Sequence, residues 1–199
     1  MKEFEMTLGR PRKFDDDELL DRAVDLIWRE GPMALSLNEI AAQLETTKPA
    51  LARRFGGKDD FLAAVLKRYH KRVDAQVQSA LANAKNVKEV ARSYLGAYKN
   101  VLSQKPVGPT TGCLLAAATE ASANQSDTIL AETIKSLNEQ PRTGLLEALG
   151  RTGAQDADKL AHYLYGQSVS LAFLSRNGAD ANALSDYVER ALAGVLKEE

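Results

Sequence analysis

Cysteine and histidine are scarce in this chain. Its 199 residues include one cysteine, Cys113, and two histidines, His70 and His162, that lie far apart in sequence. A single cysteine cannot form an internal disulfide, and two distant histidines do not have the spacing of a metal site. We therefore exclude disulfide-stabilised and zinc-stabilised scaffolds, and we expect no metal and no other cofactor.

Long apolar runs are also missing. A typical uninterrupted run, Leu-Leu-Ala-Ala-Ala at 114–118, is far shorter than the roughly 20 residues that a membrane-spanning helix needs. The first ten residues, MKEFEMTLGR, lack the apolar segment of a signal peptide. These absences predict a cytoplasmic protein without a membrane partner.

The net charge is −1, so the chain as a whole has no general attraction to polyanions. The distribution of charge is more informative. One basic cluster lies within 46–58, a stretch without acidic residues, and a second basic cluster directly precedes the acidic residues 15–18. A solvated charged face would explain either cluster alone about equally well. The two clusters are Lys48, Arg53, Arg54 and Lys58, and Arg10, Arg12 and Lys13.

Helical periodicity dominates the sequence and no segment alternates as a strand does, so we predict an all-α fold. With 44% hydrophobic residues the chain has enough apolar surface to form its own core. Pro141 is expected to kink or divide the helix that contains it. The expected helices span about 15–30, 36–44, 47–54, 58–84, 87–103, 112–123, 126–149, 154–176 and 181–197.

The second and third of these helices are short and joined by a turn of about three residues. Ser36 and Glu39 have the spacing of a capping box, which begins the first of the two. Thr47 is a candidate N-cap for the second, and Pro49 lies in its first turn. Two short helices supported by a preceding helix form a helix-turn-helix arrangement.

A helix-turn-helix lays the N-terminal part of its second helix in the major groove of DNA. Leu51 and Phe55, four residues apart, are expected to pack inward on Leu37, Ile40 and Leu44 and so fix which face meets DNA. Arginine offers paired donors to phosphate or guanine, and Lys58 lies where the next helix begins and can help hold a phosphate. The candidate DNA-contacting residues are Arg10, Arg12, Lys13, Ser36, Thr46, Thr47, Lys48, Pro49, Ala50, Arg53, Arg54 and Lys58.

At these residues the sequence resembles the TetR/AcrR family of transcriptional regulators. The matching segments keep the family's order and spacing over about a quarter to a third of the chain. They are GRPRKF at Gly9–Phe14, AVDLIWREG at Ala23–Gly31, LSLNEIA at Leu35–Ala41, and TKPALARRFGGKDDFL at Thr47–Leu62.

The resemblance implies an N-terminal arm and helix-turn-helix DNA-binding domain at 1–58 and a helical ligand-binding and dimerisation domain at 59–199. It implies a homodimer that binds a palindromic DNA operator, as a repressor released by a small-molecule effector of unknown identity. The arm Arg10-Pro11-Arg12 resembles arms that read the minor groove, although disordered solubilising residues explain it equally well.

Two positions depart from the family pattern. Glu45 stands where the family usually has a glycine in the turn, and Ala52 stands where it usually has an aromatic residue, commonly a tyrosine that touches a phosphate. A helical protein-interaction module with weakened or lost DNA binding is therefore the alternative. A helical enzyme that uses Cys113 with His70 or His162 is not expected, because these residues lack the spacing of a catalytic triad.

The last two expected helices are rich in apolar residues, which suggests a dimer interface, with an intramolecular core as the alternative. Cys113 lies in the Gly-Cys-Leu segment at 112–114, which resembles a segment of cysteine-sensor members of the family, although a small buried thiol is the commoner role. Tyrosine and threonine side chains on otherwise apolar helices either line a ligand pocket or belong to the core. The apolar residues of the last two expected helices are Leu160, Leu164, Leu171, Leu174, Leu184, Tyr187, Val188, Ala191 and Val195. The candidate ligand contacts are Tyr94, Tyr98, Cys113, Thr119 and Tyr163.

Overall fold

The structure is a computed structural model that describes residues 15–104, 112–123 and 128–195. Within these ranges the chain forms nine α-helices and no strands, which confirms the all-α prediction. Arg10, Arg12 and Lys13 lie outside the described residues. The helices are α1 Asp16–Glu30, α2 Leu37–Gln43, α3 Lys48–Phe55, α4 Lys58–Leu81, α5 Val87–Ser103, α6 Leu114–Ala121, α7 Ile129–Arg151, α8 Ala157–Arg176 and α9 Ala181–Val195.

Local capping signals set the ends of the first helices. Asp15 caps α1 by accepting a hydrogen bond from the Glu18 amide at 2.7 Å, and Gly31, with φ of 105°, ends the helix. Ser36 and Glu39 form the expected capping box, in which the Ser36 amide donates to Glu39 at 2.7 Å and the Glu39 amide donates to Ser36 at 3.3 Å. The sequence therefore determines where α1 and α2 begin.

α4 connects the N-terminal helices to the rest of the protein. Its first half packs on α1 and α3, and it also packs on α5, α6 and α7. α4 buries Phe61, Leu62 and Val65 near its start and Val73 and Val77 further along, as the three- and four-residue spacing predicted. A single helix thus spans the junction between the helix-turn-helix and the C-terminal helices.

Several predicted boundaries are corrected. Pro141 does not divide α7, which continues from Ile129 to Arg151. A proline removes one amide from the helix ladder and crowds the carbonyl four residues earlier, but the buried Leu137 and Leu145 anchor α7 on both sides of it. Gly112 and Ala154 precede their helices rather than begin them, since α6 begins at Leu114 and α8 at Ala157. α4 ends at Leu81 instead of about 84.

The apolar residues of α8 and α9 that suggested a dimer surface lie mostly inside the chain itself. Leu164 and Leu171 are 0% exposed, and Leu184 and Val188 pack into the same continuous core. These residues therefore fit the alternative of an intramolecular core, because α9 packs on α5 and α8 within one chain. The large apolar side chains that α8 does expose are Tyr163, Val169 and Phe173.

The length and apolar character of the helices can be compared with what a membrane-spanning helix requires. Among the helices of 15–104, 112–123 and 128–195, none combines the length and the apolar character that crossing a membrane requires.

Candidate nucleic-acid interface

The turn between α2 and α3 is tight and contains a strained residue. Glu45 has φ of 55°, the left-handed region that non-glycine residues seldom adopt. The amide of the next residue, Thr46, donates to the carbonyl of Ala41 at 2.9 Å and so closes the turn. Glu45 therefore keeps the turn conformation that a glycine would adopt more easily, and its carboxylate lies 3.7 Å from the Arg22 guanidinium of α1.

α3 presents two distinct faces. Leu51 is 1% exposed and Phe55 is half-buried with its ring edge-on to Phe61 at 5.5 Å, which confirms the predicted inward face. Thr47 caps the helix by accepting from the Ala50 amide at 3.3 Å. The outward face at and near the helix start carries the exposed Thr47, Lys48, Pro49 and Arg53, with Thr46 and Ala50 half-buried.

The two adjacent arginines of α3 have different surroundings. Arg53 is exposed. Arg54 is held against α1 by an ion pair with Asp16 and lies 5.9 Å from the centre of the Phe55 ring, with its side chain 21% exposed. Of the pair, Arg53 is the one already available at the surface, whereas Arg54 links α3 to α1.

The start of α4 already holds a carboxylate. The Gly57 amide donates to Asp60 at 2.9 Å, and Gly56, with φ of 94°, leaves no room for a side chain beside that carboxylate. A phosphate bound here beside Lys58 would have to share the helix start with Asp60. Ser36 is exposed at the start of α2, although its hydroxyl serves the capping box.

A ladder of ion pairs that was not predicted from the sequence joins α1 to the first half of α4. Arg68 donates to both carboxylate oxygens of Asp21, at 2.8 and 2.5 Å, and lies 3.0 Å from Asp17. Arg72 reaches Asp25 at 3.1 Å. The hydrogen bonds from Arg68 hold the pKa of Asp21 below its usual value, which favours the charged form. The four-residue spacing of these three aspartates was the available signal.

The candidate ligand contacts fall into two groups. Tyr94 is buried, its hydroxyl lies 3.1 Å from Ser168, and its ring lies 4.9 Å from that of Tyr98. The half-buried Cys113 accepts from the Tyr69 hydroxyl at 3.5 Å. Burial raises the pKa of Tyr69, Tyr94 and Tyr98, and the nearby Cys113 raises it further, so all three phenols are neutral. The structure thus brings Tyr94, Tyr98 and Cys113 into one region.

Thr119 and Tyr163 lie elsewhere. Thr119 is exposed on α6, donates to the Leu115 carbonyl at 2.9 Å and accepts from Asn138 at 3.1 Å. The Tyr163 hydroxyl donates to the Ala191 carbonyl at 3.0 Å, across the contact between α8 and α9. These two residues do not share a site with the buried tyrosines.

The histidines do not assemble with the cysteine either. His162 contacts Arg142 and the Asp158 carbonyl on the surface, and His70 lines a groove between α4 and α7. Across the described parts of the chain, no three metal-ligating side chains come together.

The fold and this surface define a class: an all-α protein whose N-terminal helices form a helix-turn-helix. Residues 19–65 match the family model for bacterial regulatory proteins of the tetR family, and this stretch runs from α1 into α4. Over these residues the chain is therefore similar to transcriptional regulators of the TetR family. A relative of similar length is the HTH-type transcriptional repressor ComR of Escherichia coli K12, which is 29% identical over 185 residues, covering 88% of this chain and 86% of that protein.

Solved structures share the fold over most of the chain. The TetR-family regulator CifR, a cysteine mutant complexed with 26-base-pair operator DNA, has a TM-score of 0.77 and 23% identity, covering 92% of this chain and 98% of its own. AibR, in complex with isovaleryl coenzyme A and operator DNA, has a TM-score of 0.63 and 18% identity, covering 86% of this chain and 94% of its own.

Proposed function

We propose that this regulator is a homodimeric repressor that binds a palindromic DNA operator through α3 and is released by a small-molecule effector. The observation that carries the proposal is the two-faced α3, because burial of Leu51 directs Lys48 and Arg53 outward. The repressor role of ComR and the operator complexes of CifR and AibR support it. Such a regulator acts in the cytoplasm and needs no catalytic activity.

We assign DNA binding to 1–58 and effector binding and dimerisation to 59–199. In this proposal Thr46, Thr47, Lys48 and Arg53 contact bases and phosphates, as side chains of a recognition helix do. The supporting contacts in this proposal come from Ser36, Pro49, Ala50, Arg54 and Lys58, and from the arm residues Arg10, Arg12 and Lys13.

The dimer in this proposal forms through α8 and α9. Val169 and Phe173 are 48% and 59% exposed and lie four residues apart on one side of α8. Gly166 lies on the same side, and a side-chain carbon added there would meet no other atom. An exposed apolar stripe beside a small residue suits the close approach of a second copy.

The effector in this proposal binds among the C-terminal helices, near Tyr94, Tyr98 and Cys113. AibR, solved with isovaleryl coenzyme A, supports a small molecule as the effector class. Release follows from geometry: the two recognition helices must stay about 34 Å, one helical turn, or a multiple of it apart to reach both half-sites. Any effector that changes the tilt of α4 changes that separation.

The test begins with the operator. Purified protein is used to select bound fragments from genomic DNA, and the enriched sequence is then titrated with wild type, Lys48→Ala, Arg53→Ala and the control Lys88→Ala, an exposed lysine of α5. We expect the first two variants to weaken binding and each to lower the salt slope by about one. We expect Lys88→Ala to bind as wild type does.

Two outcomes would count against the proposal. Unchanged affinity in both α3 variants would remove their assignment to DNA. If no fragment is enriched at any salt concentration, the alternative of a protein-interaction module with lost DNA binding is favoured, in keeping with the departures from the family pattern at Glu45 and Ala52.

A further inference from the structure

Trp28 of α1 makes a buried contact with the segment that precedes α6. Its indole Nε1 donates to the Gly112 carbonyl at 2.7 Å, although the two residues are 84 positions apart. The indole also packs edge-on against Tyr69 of α4, with ring centres 5.1 Å apart, and the Tyr69 hydroxyl reaches Cys113. We name these four residues, Trp28, Tyr69, Gly112 and Cys113, the Trp28 junction.

On the other side of this junction, the backbone of Gly112 lies close against α8. It has φ of 89°, and a side-chain carbon added to it would lie 2.8 Å from the Ala172 carbonyl oxygen and 3.1 Å from the Arg176 amide nitrogen. Both are backbone atoms of α8, so they cannot move aside as a flexible side chain can. Arg176 in turn reaches Glu120 of α6 at 2.5 Å. The backbone of Gly112 therefore packs closely against α8, which the Arg176–Glu120 ion pair joins to α6.

Trp28 connects Gly112 to α1, the helix that packs beside the proposed DNA-binding surface. Because the indole N–H is buried, a shift of Gly112 either leaves this donor without an acceptor or moves Trp28 with it. Trp28 lies on α1, which also holds Arg22 beside Glu45 in the turn before α3 and Asp16 against Arg54 of α3. A continuous series of contacts thus runs from α8 through Gly112 and α1 to α3.

We propose that the Trp28–Gly112 hydrogen bond couples the arrangement of α6 and α8 to the orientation of α1 and α3, and so to operator affinity. This inference rests on the proposed function, since it assumes that α3 binds DNA. It differs from a movement of α4 alone, because this hydrogen bond joins α1 directly to the segment that precedes α6.

A double-mutant cycle on operator binding tests the coupling. Trp28→Phe removes the donor and keeps a ring against Tyr69, whereas Gly112→Ala displaces the acceptor from α8. We expect each single variant to weaken operator binding about tenfold, and the double variant to bind no more weakly than the poorer single variant. Additive losses of about a hundredfold, or wild-type affinity in either single variant, would overturn the proposal.

A matched control separates coupling from loss of stability. Leu95→Ala removes a fully buried side chain of α5 that is not one of the four junction residues, and it should lower the melting temperature while operator affinity of the folded protein stays at the wild-type level. A loss of affinity in Leu95→Ala as large as in Trp28→Phe would assign the effect to stability alone. If Gly112→Ala does not fold, the Trp28→Phe result decides the matter.

The chain also supplies its own spectroscopic probe. Trp28 is the only tryptophan, so intrinsic fluorescence reports on the junction without a label. We expect its emission to change in Gly112→Ala and again when the selected operator fragment is added to wild type. Failure of wild type to bind any fragment removes the proposed function, whereas operator binding with unchanged emission and unchanged Trp28→Phe affinity removes this inference alone.

Discussion

Arg54, near the end of α3, forms an ion pair with Asp16 in the first turn of α1. The neighbouring Arg53 is exposed, so two adjacent arginines of one short helix are expected to have different roles. We predict that Arg54→Ala lowers the free energy of unfolding by about 1 kcal/mol, as expected for one partly exposed ion pair. Arg53→Ala should leave it nearly unchanged.

Urea unfolding of both variants at one protein concentration measures this difference, and Asp16→Ala is the matched partner variant. If the ion pair is the cause, the Asp16→Ala and Arg54→Ala losses should not add in the double variant. A larger stability loss in Arg53→Ala than in Arg54→Ala would contradict the assignment.

Glu45 is predicted to be a site of stored backbone strain. Glu45→Gly should be more stable than Glu45→Ala by about 1 kcal/mol, because both variants lose the Arg22 contact but only glycine adopts φ of 55° without steric cost. Thermal or urea unfolding of the two variants makes the comparison. Equal stabilities would mean that the turn relaxes when the carboxylate is removed.

Phe173 is predicted to lie in the dimer interface. Phe173→Glu should give monomers in sedimentation at micromolar concentration, because a second copy would have to bury the new charge. Ile129→Glu is the control, since Ile129 is also an exposed apolar residue, 44% exposed, but lies on α7. A dimeric Phe173→Glu protein would place the interface elsewhere.

His70 is predicted to make stability depend on pH. Burial lowers its pKa, while the neighbouring Asp74 opposes the shift in part, and Lys67, Lys71 and Glu132 line the same groove. The unfolded chain therefore binds the proton more readily, so the stability from neutral His70 is present above its unfolded pKa, near 6.5, and is lost as pH falls through the lower folded value.

Unfolding free energies of wild type and His70→Gln between about pH 5 and 8 isolate this contribution, since glutamine stays neutral throughout. We expect the wild-type value to decline relative to that of His70→Gln on acidification. Parallel curves for the two proteins would show that His70 titrates alike in the folded and unfolded states.

Short-range signals predicted the helix-turn-helix well. Ser36 with Glu39 and Thr47 with Pro49 act within one helical turn, so the residues that begin α2 and α3 could be identified from sequence. The helical spacing of apolar residues likewise predicted the inward face of α3, and Leu51 on that face is buried.

Long-range contacts could not be predicted in the same way. The Trp28 bond to Gly112 and the Arg68 bonds to Asp21 join residues 84 and 47 positions apart, and no local rule pairs them. The apolar face of α9 shows the same limit, since periodicity marks Leu184 and Val188 as buried but does not say whether α5 of the same chain or a second copy covers them.

The ion-pair ladder has a consequence for how this protein could be divided. Because Arg68 and Arg72 join α4 to α1, and because Phe61 and Leu62 of α4 are buried in the core, the first half of α4 is structurally part of the helix-turn-helix unit. A fragment cut at 58 would keep every candidate base-contacting residue yet lose the helix that covers α1. A fragment that contains the whole helix-turn-helix unit must therefore extend at least through Arg72.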